Sequence, residues 1–99
     1  MLVTRRRPIH GSRHALLDTY VALCHLEMNR PTQASVWLDR VLACQTELFG
    51  ANDIQCAQTD GIKARALQRA GDVRGALSCA RVQRLRLSLA KHRFTRGSF

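Results

Sequence analysis

The sequence predicts an all-α protein. Four segments repeat apolar residues at spacings of three and four, as the buried face of a helix requires. Gly, Asn and Pro separate these segments at short intervals, where helices stop and restart. No segment alternates apolar and polar residues with the β-branched content of a strand. The chain has 99 residues, 45% hydrophobic and 23% charged, with six Gly and two Pro, which suits one small globular domain. A chain of this size has a modest core and no room for an enclosed multilayer active site. Aromatics are only 5%, so stacking surfaces for single-stranded nucleic acid are scarce.

Residues 1–11 hold Pro8 and Gly11 and read as a flexible basic arm. Ser12 then stands as a cap for a first helix over 13–28. Its apolar stripe is Leu17, Val21, Cys24 and Met28, with Leu16, Tyr20 and Leu23 adjoining. Asn29, Arg30 and Pro31 break it, and Thr32 is placed to cap the second helix. That helix buries Ala34, Trp37, Leu38, Val41, Leu42, Leu48 and Phe49 and stops at Gly50. Trp37 fits a core position in this stripe, or an interface anchor. Asn52 and Gln55 have the spacing of a capping box. The third helix has a poorer face, Ile54, Ala57, Ala64, Leu67 and Ala70, and Gly61 interrupts it at a cost of about 1 kcal/mol. Gly71 and Asp72 end it and start the last helix, Val73 to about Lys91. The expected body is therefore 12–92, divided into 12–50 and 51–92, with a basic tail at 93–99.

Charge is uneven. Lys and Arg number 16 against seven Asp and Glu, a net of +9. Residues 1–14 carry Arg5, Arg6, Arg7 and Arg13 with no acid. Residues 81–99 carry Arg81, Arg84, Arg86, Lys91, Arg93 and Arg96, again with no acid. Such ends suit phosphate, an acidic protein face or anionic lipid, or act as solvated solubilising runs. Arg5, Arg6, Arg7, Arg84, Arg86, Lys91 and Arg93 are the basic-end candidates for a nucleic-acid or ribonucleoprotein partner. No stretch reaches the roughly 18 apolar residues of a membrane span. The expected compartment is the cytoplasm, and the Arg-rich, acid-free N-terminus also fits mitochondrial targeting.

Cys24, Cys44, Cys56 and Cys79 form no C-x-x-C pair and read as buried free thiols in packing roles. His10, His14, His25 and His92 form no metal-ligating or catalytic pattern. There is no nucleophile elbow, no phosphate-cradling glycine loop and no paired carboxylates at helical spacing. The residues therefore point to a non-catalytic protein, with no cofactor and no metal.

The most informative pattern is internal. A shift of 42 residues lays Ala15 on Ala57, Ala22 on Ala64, Asn29 on Gly71 and Ala34 on Ala76. Small residues let antiparallel helices approach closely, and Asn or Gly supplies a positive φ at the turn. Ala22, His25, Asn29 and Ala34, matched by Ala64, Leu67, Gly71 and Ala76, resemble the tetratricopeptide repeat. The 42-residue period, with Leu42, Leu48-Phe49-Gly50 and the Asn52-Asp53 turn, is similar to the kinesin light chain branch.

The resemblance implies two tandem helix–turn–helix repeats forming a short right-handed α-solenoid. It implies a scaffold or adaptor holding a peptide or acidic segment of a partner protein in a groove. The implied groove residues are Thr19, Tyr20, Leu23 and Glu27 from the first unit and Ile62, Arg65 and Arg69 from the second. Arg65 and Arg69, one turn apart, suit a carboxylate. Ala80, Gln83 and Arg84 stand where apolar residues are expected, so the last helix reads as a solvent-facing C-terminal cap. Two units are few for a solenoid, which suits self-association, completion by a partner, or a truncated repeat protein without independent function.

Overall fold

A computed structural model describes residues 7–97, with side chains over 14–91. The helices run α1 (Arg7–Glu27), α2 (Pro31–Phe49), α3 (Ile54–Arg69) and α4 (Val73–Gly97), and no strand occurs among the described residues. The all-helical class follows. Each helix packs chiefly on its sequence neighbour, α1 on α2, α2 on α3 and α3 on α4, in a flat body of 44 × 38 × 19 Å.

The two hairpin turns are the same structure placed 42 residues apart. In the first, Arg30 N–H donates to His25 O at 2.7 Å and Asn29 N–H to Leu26 O at 3.0 Å. In the second, Asp72 N–H donates to Leu67 O at 2.8 Å and Gly71 N–H to Gln68 O at 3.1 Å. Both stops need a residue at positive φ, and Asn29 has φ 59° and Gly71 φ 88°. The following helices start alike, with Ala34 N–H on Arg30 O and Ala76 N–H on Asp72 O.

Helix boundaries differ from expectation for local reasons. α1 starts at Arg7, so the arm boundary at 11 and the Ser12 cap do not hold. Pro8 falls in the first turn, where its missing N–H costs no hydrogen bond. Residues 1–6 lie outside the described residues. Pro31 opens α2 and does not merely precede it, so Thr32 is inside the helix, and the capping position falls to Arg30 without a side-chain bond. The cap of α3 is Asp53, whose Oδ2 accepts from Gln55 N–H at 2.9 Å; the Asn52 assignment was one residue early. α4 continues to Gly97 through the expected tail at 93–99.

The core is built on small residues. Ala22 and Leu26 of α1, Ala34 and Leu38 of α2 and Ala66 of α3 form its main cluster, with Leu23, Trp37 and Ile62 packed against it. On α1 the core face is thus Ala15, Ala22 and Leu26, while Leu17 and Met28 of the predicted stripe are 54% and 53% exposed. Alanines bring helix axes close, and that geometry selects the inward face over the larger leucines. The same rotation exposes Cys24; Cys44 and Cys79 are half-buried, and only Cys56 is fully buried as expected. Trp37 is half-buried with the Arg40 guanidinium 4.8 Å from its ring centroid.

α4 faces solvent as expected of the last helix, with Ala80 and Arg84 exposed and Gln83 half-buried. Its half-buried positions Ala76, Cys79, Gln83, Arg86 and Ala90 follow helical spacing and face inward. Val73, Leu77 and Leu85 are left 62%, 54% and 60% exposed. Arg74, Arg81, Arg84 and Lys91 are exposed beside them, so the outer surface of α4 is mixed, and its inner face combines Ala76, Cys79 and Ala90 with Gln83 and Arg86.

Candidate functional site

The recess at the α1–α3 crossing is floored by the C-terminal half of α2. It encloses about 300 Å³ and is lined by Ala15, Leu16 and Thr19 of α1, Gln45 and Phe49 of α2, and Gln55, Gln58, Thr59 and Ile62 of α3. Thr59 Oγ1 donates to Gln45 Oε1 at 2.6 Å, a buried bond that fixes the floor. Among the described residues the lining contains no charged side chain. Three glutamine amides beside Leu16, Phe49 and Ile62 offer neutral donors and acceptors next to an apolar wall. That combination suits a peptide backbone with one or two apolar side chains.

The sequence-derived groove residues divide. Thr19 and Ile62 line this recess. Leu23 packs on the core cluster, and Tyr20 and Glu27 are exposed outside the lining. Arg69 and Arg65 do not converge on one ligand. Arg69 Nη1 donates to Leu26 O at 3.2 Å, tying α3 to the end of α1. Arg65 is exposed and lines a different groove, between α3 and α4. Of the other lining residues, Leu16 and Phe49 read from sequence as helix-stripe residues and Ala15 as a repeat position, while Gln45, Gln55, Gln58 and Thr59 belong to no binding pattern. Gln45, four residues after buried Val41, was the available signal.

The basic-end candidates also separate. Arg86 is turned inward, its Nε 3.3 Å from Asp60 Oδ2, with side chains only 17% and 4% exposed. It is therefore structural and not available as a free binding cation. Arg84 and Lys91 are exposed. Arg5 and Arg6 lie outside the described residues, and the side chains of Arg7 and Arg93 lie outside the described side chains.

Asp60 and Arg86 belong to a polar cluster joining α2, α3 and α4, in which Lys63 also pairs with Asp39. Burial pushes the Asp60 carboxyl above its ordinary range although Arg86 and Lys63 pull the other way. Burial alone would lower Lys63, but its contact with Asp39 and the nearby Cys79 and Asp60 together hold it above the usual value. Burial likewise raises the Cys79 thiol, which disfavours the reactive thiolate. Asp60 with Arg86 and Lys63 with Asp39 form ion pairs, and none of these side chains lines the α1–α3 recess.

Among the described residues, no three His, Cys, Asp or Glu side chains gather to hold a metal, and no helix is long and apolar enough to cross a membrane. No family model, curated protein or solved structure matches the chain.

Proposed function

We propose that the chain is a non-catalytic protein-interaction module, two tandem tetratricopeptide-like hairpins of a short right-handed α-solenoid, that holds a partner's peptide segment between α1 and α3. The observation that carries this reading is the neutral recess lined by three glutamines, two threonines and three large apolar residues. The identical hairpin turns 42 residues apart support the repeat reading. The ligand is an uncharged, partly apolar segment, because Arg69 is engaged with α1 and Arg65 lies on another face. An acidic segment is the weaker fit.

The test is a peptide library displayed against the full chain, with selected peptides titrated onto variants. Leu16→Arg alters an exposed lining residue and should weaken binding more than about tenfold. Leu77→Asp, in the other groove, should leave it unchanged. Peptides insensitive to Leu16→Arg would overturn the reading. A nucleic-acid role rests on Arg81 and Arg84, exposed on a helix without acids. It predicts steep loss of affinity between about 50 and 200 mM salt. Binding in the neutral recess predicts almost none.

A further inference from the structure

The register that carries Asn29 onto Gly71 also carries the seat of α3 onto an open face. On the first hairpin, Ala22, Leu26, Ala34 and Leu38 receive Ala66 of α3, with Leu23 beside them. Adding 42 to those five seat positions gives Ala64, Gln68, Ala76, Ala80 and Arg65. All five line the groove of about 430 Å³ between α3 and α4, with exposed Val73 and Leu77 at its edge. The second hairpin thus repeats the seat.

The complementary surface lies at the other end of the same chain. α3 presents Thr59, Ile62, Ala66 and Arg69 to the first hairpin. Subtracting 42 gives Leu17, Tyr20, Cys24 and Glu27 of α1. All four are exposed, Leu17 and Tyr20 at 54% and 57%. The buried Thr59–Gln45 hydrogen bond becomes a pairing of Leu17 with Leu87, which is 39% exposed in the single chain. The Arg69 bond to the Leu26 carbonyl does not carry over, since Glu27 then stands at the Gln68 position, where the base within one turn is Arg65.

We propose that the occupant of the α3–α4 groove is α1 of a second copy, docked in the 42-residue register. The contact is head-to-tail. It leaves one seat and one α1 face unused at the ends, so association continues into longer chains unless it closes into a ring. A symmetric pairing of two α4 helices is disfavoured, because α4 exposes Arg74, Arg81 and Arg84 and carries no acid. These faces lie outside the α1–α3 recess, so this inference stands or falls apart from the peptide reading.

Sedimentation velocity on the full chain over a concentration series tests it. Wild type should sediment progressively faster as concentration rises. Leu77→Asp alters the seat and Leu17→Asp alters the α1 face; both positions are exposed, so helicity and melting should be preserved. Each variant alone should associate more than about tenfold more weakly. Mixed in equal amounts they should form a one-to-one dimer that grows no further, since one seat and one α1 face remain intact. A wild type that stays monomeric throughout, or a mixture that behaves as the separate variants do, overturns the proposal.

Discussion

The two hairpins share a turn and a register but not an environment. The first, α1–α2, is covered by α3 and fully buries Ala22, Ala34, Leu38 and Val41. In the second, α3–α4, the equivalent positions are Ala64, Ala76, Ala80 and Gln83, and none is fully buried. The hairpin is therefore set by local chemistry, its helix stop and small residues, whereas the core is set by what lies on top. Leu38 and Ala80 occupy the same place in the two units. One fills a covered seat, and the other lines an open one.

The strongest way to break this asymmetry is to give the first seat the second one's residue. Leu38→Ala removes a fully buried side chain and should cost roughly 2–5 kcal/mol. Leu77→Ala, at 54% exposure on the open seat, should change monomer stability by less than about 0.5 kcal/mol. Urea unfolding by circular dichroism measures both, and similar costs would mean that the two seats do not differ as described.

Next in size is the pair that binds α4 to α3. Arg86→Leu leaves Asp60 buried beside no cation within ion-pair distance and should cost about 3 kcal/mol, the low end for a buried pair because Arg86 keeps some exposure. Adding Asp60→Leu should recover most of that loss. The pair also gives a pH signature. Because the folded-state pKa of Asp60 is raised above 3.8, the folded chain holds this proton more tightly than the unfolded one. The Asp60 contribution to stability therefore falls as pH rises from 3.8 through the raised value. Wild type minus Asp60→Asn should show that fall in unfolding free energy.

A smaller effect tests the floor of the recess. Thr59→Val leaves the Gln45 amide buried without its hydroxyl partner and should cost about 1–2 kcal/mol. Gln45→Leu added to it restores an apolar match, the residue type that Leu87 supplies in the second unit. The double variant should be close to wild type in a thermal melt.

What could be read in advance follows the same division. The stop at Asn29 and Gly71 is legible because positive φ is a property of one residue and its neighbours. The inward face of α1 is not. Leu17, Val21, Cys24 and Met28 make the more hydrophobic stripe, yet Ala15, Ala22 and Leu26 face the core. Close approach of α2 rewards small side chains, and no count of hydrophobicity contains that distance. The Asp60–Arg86 pair is hidden for a similar reason, since it depends on the register of α4 along α3. The recess was half legible. Thr19 and Ile62 came from the repeat pattern, but Gln45, Gln55 and Gln58 belong to no motif and become a lining only when α2 is placed beneath them.

The finest test concerns the turn that the hairpins share. Gly71 sits at φ 88° with no atom within 4 Å of where a Cβ would be, so crowding cannot be the cost of a side chain there. Any penalty must come from the backbone. Gly71→Ala should cost about 1 kcal/mol, the expense of an L residue in the left-handed region. Gly71→Asn should cost less, because asparagine tolerates that conformation and Asn29 already adopts it at φ 59° in the first hairpin. Asn29→Ala should lose less than Gly71→Ala, because asparagine already bears part of the strain of positive φ. Urea midpoints at constant slope would report all three. If alanine is free at both positions, the stop is imposed by packing of the helices and the turn residue merely accommodates it. If asparagine and alanine rank as expected at Gly71, the repeat is written in the turn itself, and the hairpin can form before anything covers its seat.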